Sequence, residues 1–560
     1  MRTKLVLLII VALFLAACSA PTPEAAAPQE ESKAAVTEAP AEAQKTEEPT
    51  EAEMVAESAE AASRPFVFAV RQEPVTMDPH VNDLSYSQNG QRLVYEALIE
   101  YTVSSDGKVG LGPRLAESWD VSDDAKTYVF NLRKDVKFSD GTPFNAEAVK
   151  WNLERLLALK LPPSARIPPV ESVDVVDDYS VKIVLKNPYA PFLASMTLPL
   201  MISPTAAQSH EEEGDMGQKW LTDNAVGTGP YMLESWVRDQ ELTATRNPDY
   251  WRGWEGNHVD KVVLQVVQEP TTQRLILEAG EADLADNIAF DDLDALSQTP
   301  GVVVEPGISL EMLNICMKTV ESPLADKRVR QAVSYAFDYD SFINGVLNSR
   351  AQQPLGPVPF GSWALDQDLQ PYTRDLEKAK ALMAEAGYPD GGFKVTIQTI
   401  AAYGWYQPRE AQILQQNLGE LGIEAVIDDK ADAATFLGTL HDKEKGPEIY
   451  FWRSVAAIDD PDYELRRMYH SDFVGERGVN GSWFQDPKAD ELLDKALTIP
   501  SREERKSLYD EYQVIVKDEA PCIWAAQMNY YITSRDVLKG YVWNPFNIGV
   551  PDYYQIWLSE

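Results

Sequence analysis

A chain of 560 residues is longer than a single hydrophobic core supports, so two or more domains are expected. Hydrophobic residues make up 44% and charged residues 25%, an ordinary globular mixture, whereas the formal net charge of −38 is unusual. A surface this acidic repels phosphate backbones and argues against nucleic acid as a partner.

In chain order, the opening segment MRTKLVLLIIVALFLAACSA carries a cationic start at Arg2 and Lys4 and an apolar run from Leu5 to Leu15. That run is too short for a stable membrane span and has the size of an export signal. Leu15-Ala16-Ala17-Cys18 resembles the bacterial lipobox, in which the signal, here residues 1–17, is removed and lipid is attached to the cysteine thiol. The mature chain would then begin at Cys18, held by acyl chains on the outer face of the bacterial cytoplasmic membrane. Residues 18–64 are mostly Ala, Pro, Glu and Thr, too poor in bulky apolar side chains to offset chain entropy. They read as a disordered tether, and a globular part is expected from residue 65.

Lys126 to Phe138 alternates in polarity and ends in the turn Ser139-Asp140-Gly141. The next stretch, NAEAVKWNLERLL, places Val149, Leu153 and Leu156 on one helical face with Asn145 as N-cap. Ser172 to Lys186 reads as a hairpin, with Val181, Ile183 and Leu185 alternating with Lys182, Val184 and Lys186 after a turn at Asp177-Asp178. From about residue 320 the pattern becomes helix then strand. A helix through RVRQAVSYAF precedes another ending at Leu347; LEKAKALMAEAG stops at Gly387 before the strand FKVTIQTI; AQILQQNLGEL stops at Gly422 before IEAVID. This alternation predicts an α/β region with a largely parallel sheet, after a first half that is richer in hairpins.

Catalytic motifs are scarce: there is no G-x-S-x-G, no H-E-x-x-H and no Walker A loop. The five histidines, His80, His210, His258, His441 and His470, supply no i, i+4 pair for a metal. Neither enzyme activity nor a metal or cofactor is expected. Beyond Cys18 only Cys316 and Cys522 remain, and the residues by themselves favour two buried free thiols, although an exported protein permits a disulfide. In YFWRSVAAIDDPDYE, Asp460 before Pro461 fits an N-cap followed by proline at the first helical position, and Asp462 suits a helix start.

Several stretches, in order along the chain, resemble the family 5 extracellular solute-binding proteins, the large receptors of peptide and nickel ABC importers. They are LAESWDVSDDAKTYVFNLRKDVKFSDGTPFNAEAVKWNLER; AVGTGPYMLESW with RNPDYW and LEAGEADLAD; SPLADKRVRQAVSYAFDYDSFI leading to GPVPFG; the run from Arg374 through GYPDGGF; and DPKADELLDKAL onward, with EYQVIVKDEAPCIW and LKGYVW. The resemblance implies an α/β, two-lobed periplasmic-binding-protein-like fold of type C, with mixed sheets flanked by helices. Lobe I would comprise residues 65–308, with a hairpin-rich subdomain around 100–200, and a return segment 528–560; lobe II would comprise 309–527. LNICM and PCIWAAQ would be the hinge strands, which brings Cys316 and Cys522 near each other. The implied partners are ABC permease subunits with their ATPases, and the receptor is expected to be a monomer.

The resemblance also implies a cleft that takes Asp83, Tyr86, Gln88 and Asn89 from lobe I. From lobe II it takes Tyr403, Trp405 and Tyr406, the strip Arg453, Ser454, Val455, Ala456, Ala457 and Asp459, and then Asn480 and Trp483. Two departures bear on the ligand. Dipeptide-binding relatives grip the peptide ammonium with an aspartate where this chain has Ala457, and the carboxylate with an arginine where it has Ala401. Asp459 or Arg409 would substitute only if the loops shift. The histidine of nickel-binding relatives is matched by Phe473, with His470 three positions away, which disfavours nickel. Aromatic and amide side chains suit a peptide-like solute first and an oligosaccharide close behind. A sensory receptor without transport is the alternative of a different class.

Overall fold

The computed structural model describes residues 64–560 except 83, 105–106, 401–403, 430–431, 441, 476–478 and 548, and omits the side chains of 433 and 434. The export signal, Cys18, the tether, Asp83, Ala401 and Tyr403 therefore lie outside the described residues.

The first strand, β1 (Phe66–Val70), belongs to a large sheet, and the chain then builds two small ones. β2 (Ile99–Val103) and β3 (Val109–Pro113) form a ribbon. β4 (Ala116–Val121), β5 (Thr127–Leu132), β6 (Val170–Asp177) and β7 (Ser180–Leu185) form a sheet in the order β4-β5-β7-β6. The alternation read from the sequence decides which face is inside: Tyr128, Phe130, Leu132, Val181, Ile183 and Leu185 are all buried. The helix Ala146–Leu159 covers them with Val149, Leu153 and Leu156. Each such side chain contributes roughly 1.5–3 kcal/mol when fully buried. Asn145 caps that helix by accepting the Ala148 N–H at 3.0 Å, as its position predicts.

The chain then returns to the large sheet through β8 (Tyr231–Val237), β9 (Glu241–Arg246), β10 (Lys261–Val266) and β11 (Leu284–Ala285). Two long strands follow at a distance in sequence, β12 (Val302–Met317) and, after the whole second lobe, β17 (Cys522–Arg535). Between them lie β13 (Ala351–Gln352), β14 (Lys394–Gln398), β15 (Glu424–Asp428) and β16 (Ile449–Val455). The eleven-stranded sheet runs β15-β14-β16-β12-β17-β11-β1-β10-β9-β8, with β13 beside β17. A short pair, β18 (Leu538–Lys539) and β19 (Trp557–Leu558), closes the chain. Leu538, Val550, Tyr553 and Ile556 from this last segment join the core around β1, β10 and β9.

The fold is thus two-lobed α/β. One lobe packs around β1 and the hairpin sheets, and the other around a core that includes Met312 to Met317 and Ile523 to Ala526. β12 and β17 belong to both. Their pairing is regular from Val302↔Arg535 to Ile308↔Asn529, then shifts register before Met312↔Gln527. At the break the buried Gln527 amide donates to the carbonyls of Ser309 at 2.7 Å and Phe360 at 2.9 Å, satisfying backbone that the ladder leaves unpaired.

In the second lobe β14 is parallel to both β15 and β16, as helix–strand alternation predicts. The sheet as a whole is mixed, because β12 runs antiparallel to β16 and to β17. The helices Leu376–Glu385 and Gln407–Glu420 end near Gly387 (φ +91°) and Gly422 (φ +75°). At Gly422 a Cβ would come within 2.1 Å of the Asp390 carbonyl oxygen, so no other residue fits. The segment expected to be a helix ending at Leu347 is a single π-helical stretch, Ser341–Val346.

The expectation of free thiols is corrected. Cys316 and Cys522 are register partners across β12 and β17 and form a disulfide, although 206 residues separate them in sequence. A cysteine count carries no information about strand register.

Candidate functional site

The lobes touch along the segment that follows β16. The backbone N–H of Asp459 donates to the Tyr101 hydroxyl at 3.0 Å, and the Tyr101 ring stacks on Phe546 with centroids 4.8 Å apart. Farther along, the Ala190 N–H donates to the Leu497 carbonyl at 2.9 Å. The Trp405 ring meets Phe290 edge to face at 6.1 Å.

Strand alternation sorts the strip 453–457 onto two faces. Ala456 points with Met312, Asn314 and Phe546 into a small cavity of about 30 Å³, room for a water or two. Arg453, Val455 and Ala457 line a larger cavity of about 400 Å³ on the other side, and Ser454 borders both. The far wall of the larger cavity is Pro162, Ala165 and Arg166 of the hairpin-rich region, so the two lobes share it. The helix Asp462–Tyr469 adds Tyr463, Glu464 and Arg467. Burial pushes the Glu464 carboxyl up to about 6, while Arg467 and Arg166 pull it down.

The three acids beside the strip are committed elsewhere. Asp460 Oδ1 accepts the Asp462 N–H at 3.2 Å, but the N-cap position of the helix Asp462–Tyr469 falls on Pro461, one residue later than expected. The same carboxylate forms a wholly buried ion pair with Arg505 at 2.6 Å. Asp462 pairs with Arg466 at 3.0 Å, and burial, opposed by Arg466, raises its carboxyl above the usual range. Asp459 pairs with Arg502 at 2.9 Å, and its carbonyl accepts from Arg502 Nη2 at 2.8 Å. Burial pushes Asp459 up to about 6 against the pull of Arg502. These contacts fix the loop to the helix Arg502–Glu519, so Asp459 borders the small cavity without a carboxylate to spare for a ligand ammonium.

Of the other expected ligand residues, Tyr86, Gln88 and Asn89 sit on the helix Ser85–Val94 and line neither cavity. Gln88 accepts from Arg92 Nε at 2.9 Å and so orients a guanidinium bordering a third cavity, of about 390 Å³, within lobe I. Trp405 is 60% exposed at the lobe contact. Tyr406 is corrected: it is buried in the lobe II core against Phe342, because the adjoining helix turns it inward. Asn480 is corrected as well. It is 1% exposed, and its amide donates to the His470 and Phe484 carbonyls while its oxygen accepts from Ser482 and the Phe484 N–H. That side chain scaffolds a turn. Trp483 is half-buried with φ +57°, and its enclosed indole N–H has no partner among the described residues.

Sequence reasoning missed Arg166, Tyr463, Glu464, Arg467, Tyr101 and Phe546. Only the nearness of Tyr463, Glu464 and Arg467 to the strip in sequence gave any local signal; the others come from distant segments. Among the described residues no group of His, Cys, Asp and Glu is placed to hold a metal ion, and no helix is long and apolar enough to cross a membrane.

The model of the bacterial extracellular solute-binding proteins, family 5 (middle region), matches residues 110–476. The chain belongs to this family. This family 5 protein is 32% identical over 486 residues to the probable D,D-dipeptide-binding periplasmic protein DdpA of Escherichia coli K12, covering 84% of this chain and 90% of that protein. It is 30% identical over 520 residues to heme-binding protein A of Haemophilus influenzae, covering 87% and 91%. Among solved structures it resembles HbpA2 of Haemophilus parasuis, with TM-score 0.79 and 26% identity over 89% of this chain and all of the other. It also resembles the ABC transporter-associated periplasmic binding protein DppA of Helicobacter pylori in complex with the peptide STSA, with TM-score 0.71, 27% identity, and 89% and 98% coverage. The family 5 protein is therefore a solute-binding receptor and not an enzyme.

Proposed function

We propose that this receptor is a lipoprotein anchored through Cys18 that captures a peptide-like solute between its lobes and hands it to an ABC permease with its ATPases. The single observation that carries the reading is the cavity of about 400 Å³ walled by Arg453, Ser454, Val455 and Ala457 from one lobe and Pro162, Ala165 and Arg166 from the other. A solute held there touches both lobes only when they are together, so binding stabilises the closed arrangement. The exposed edge of the strip and Trp405 are its contacts to the solute backbone. The lobes divide at residues 65–308, 309–527 and 528–560, a partition supported by the separate cores and by the register break after Ile308. Peptide-like solutes are favoured because relatives bear the names D,D-dipeptide-binding, glutathione-binding and peptide-bound DppA.

Native mass spectrometry of the chain, purified without denaturation, tests the solute class. A retained peptide mass is expected; a ladder of hexose increments moves the reading to an oligosaccharide receptor. Cys18→Ser is expected to move the protein from the membrane fraction to the soluble one. A variant that stays on the membrane removes the lipid anchor from the reading.

A further inference from the structure

A separate cavity of lobe II, of about 340 Å³, shares no residue with the two beside the strip. It opens between the helices Lys327–Ala336, Leu376–Glu385 and Arg502–Glu519 and the segment that carries Leu369 and Tyr372. Its size falls within the roughly 300–1,000 Å³ of small-molecule sites. Two ammonium groups border it, those of Lys378 and Lys517, and neither has a carboxylate partner among the described residues. In a chain with 88 acidic and 50 basic residues counter-charges are in excess, so two neighbouring uncompensated cations run against the composition. The carboxylate in the wall, Asp518, is engaged elsewhere: Lys327 pairs with it at 2.6 Å, and Gln331 donates to its other oxygen at 3.2 Å. Aromatic faces hold the two ammoniums in place without neutralising them. Lys378 Nζ lies 4.0 Å from the Tyr335 ring centroid and donates to its hydroxyl at 2.7 Å, and Lys517 Nζ lies 4.5 Å from the centroid of Tyr372. The rings meet edge to face at 4.8 Å, and the Tyr372 hydroxyl donates to the Lys517 carbonyl at 2.8 Å, which ties the aromatic wall to the helix. Burial, and then the Lys378 ammonium, pull the Lys517 amine below its usual value against the opposing effect of Asp518. An anion beside both relieves that like-charge contact. The rest of the wall is apolar: Leu369, Leu382 and Val514, the last 53% exposed.

We propose that this cavity binds a small organic carboxylate with an apolar body, its oxygens held by Lys378 and Lys517 and its body set against Leu369, Leu382 and Val514. Charge draws the ligand in, and burial of exposed aliphatic surface selects against a bare inorganic or acetate-sized anion. The site lies wholly within lobe II and does not depend on the reading of the interlobe cavity.

The test is a ligand-observed NMR titration of the full chain with phenylacetate, phenylacetamide and acetate. Phenylacetate is expected to bind at least about ten-fold more tightly than either of the others, since the amide lacks the charge and acetate lacks the ring. Lys517→Gln is expected to erase the preference for acid over amide. Lys378→Gln, at an exposed position, is expected to do the same and provides a second variant whose folding is not in question. Phenylacetate binding that survives both substitutions unchanged lies elsewhere and overturns the site. Equal affinity for acid and amide removes the lysines from recognition, and equal affinity for phenylacetate and acetate removes the apolar wall; either result overturns the ligand class. A wild-type chain that binds none of the three overturns the whole proposal.

Discussion

Two sides of one short strip use the same residue types to opposite ends. On one side Asp459, Asp460 and Asp462 meet Arg502, Arg505 and Arg466 at 2.6–3.0 Å in largely buried pairs. On the other, beside the cavity of about 400 Å³, Arg453 and Arg467 lie 3.5 and 3.6 Å from Glu311 and Glu464 in partly exposed pairs. Matched, desolvated charges hold a loop in place, since removing either partner strands the other. Longer, partly solvated pairs contribute little to stability. The number of charges does not distinguish the two sides; the burial and the distance do.

The comparison breaks most readily at Asp460. Asp460→Asn leaves Arg505 buried without its counter-charge and is expected to cost about 3–5 kcal/mol of unfolding free energy in a urea titration. A loss below 1 kcal/mol would mean that the two sides do not differ as described.

A smaller effect, up to about 2 kcal/mol, is expected from Glu464 as a function of pH. Its carboxyl is raised by burial from 4.5 to about 6, so the folded state binds a proton that the unfolded state has released. The stabilising contribution is complete below pH 4.5 and disappears as pH rises through 6. Glu464→Gln is therefore expected to lose less stability than the parent between pH 4.5 and 7.5 in thermal melts. Parallel melting curves across that range would remove Glu464 as the titrating group.

Tyr101→Phe takes away the acceptor for the Asp459 N–H at the lobe contact and is expected to cost about 1 kcal/mol, with solute affinity falling alongside. Arg467→Gln completes the series at the other extreme. Because its pair is partly exposed and 3.6 Å long, the change is expected to alter unfolding free energy by less than about 1 kcal/mol. A large destabilisation would place Arg467 with the structural arginines.

Much of the fold was legible from the residues. Polar alternation at 180–185 settles which face of β7 is buried, and the 3.6-residue spacing of Val149, Leu153 and Leu156, with Asn145 before them, settles a capped helix. Asp460 marks the start of the next helix to within one residue, because its bond to the Asp462 N–H joins neighbours two residues apart. The family, too, was readable from motifs that keep their order along the chain. These are short-range or order-based signals, carried by adjacent positions.

Tertiary structure decided the rest, because the remaining features join distant segments. Cys316 meets Cys522 only through the register of β12 and β17. Asn480, polar and loop-borne, appears ligand-ready in sequence, yet its four hydrogen bonds to its own turn are a property of the folded loop. Arg166 reaches the wall that holds Arg453 and Arg467 because a hairpin-rich region packs across the second lobe. Local patterns determine which side chains turn inward; the walls of a cavity depend on which far-apart segments the fold brings face to face.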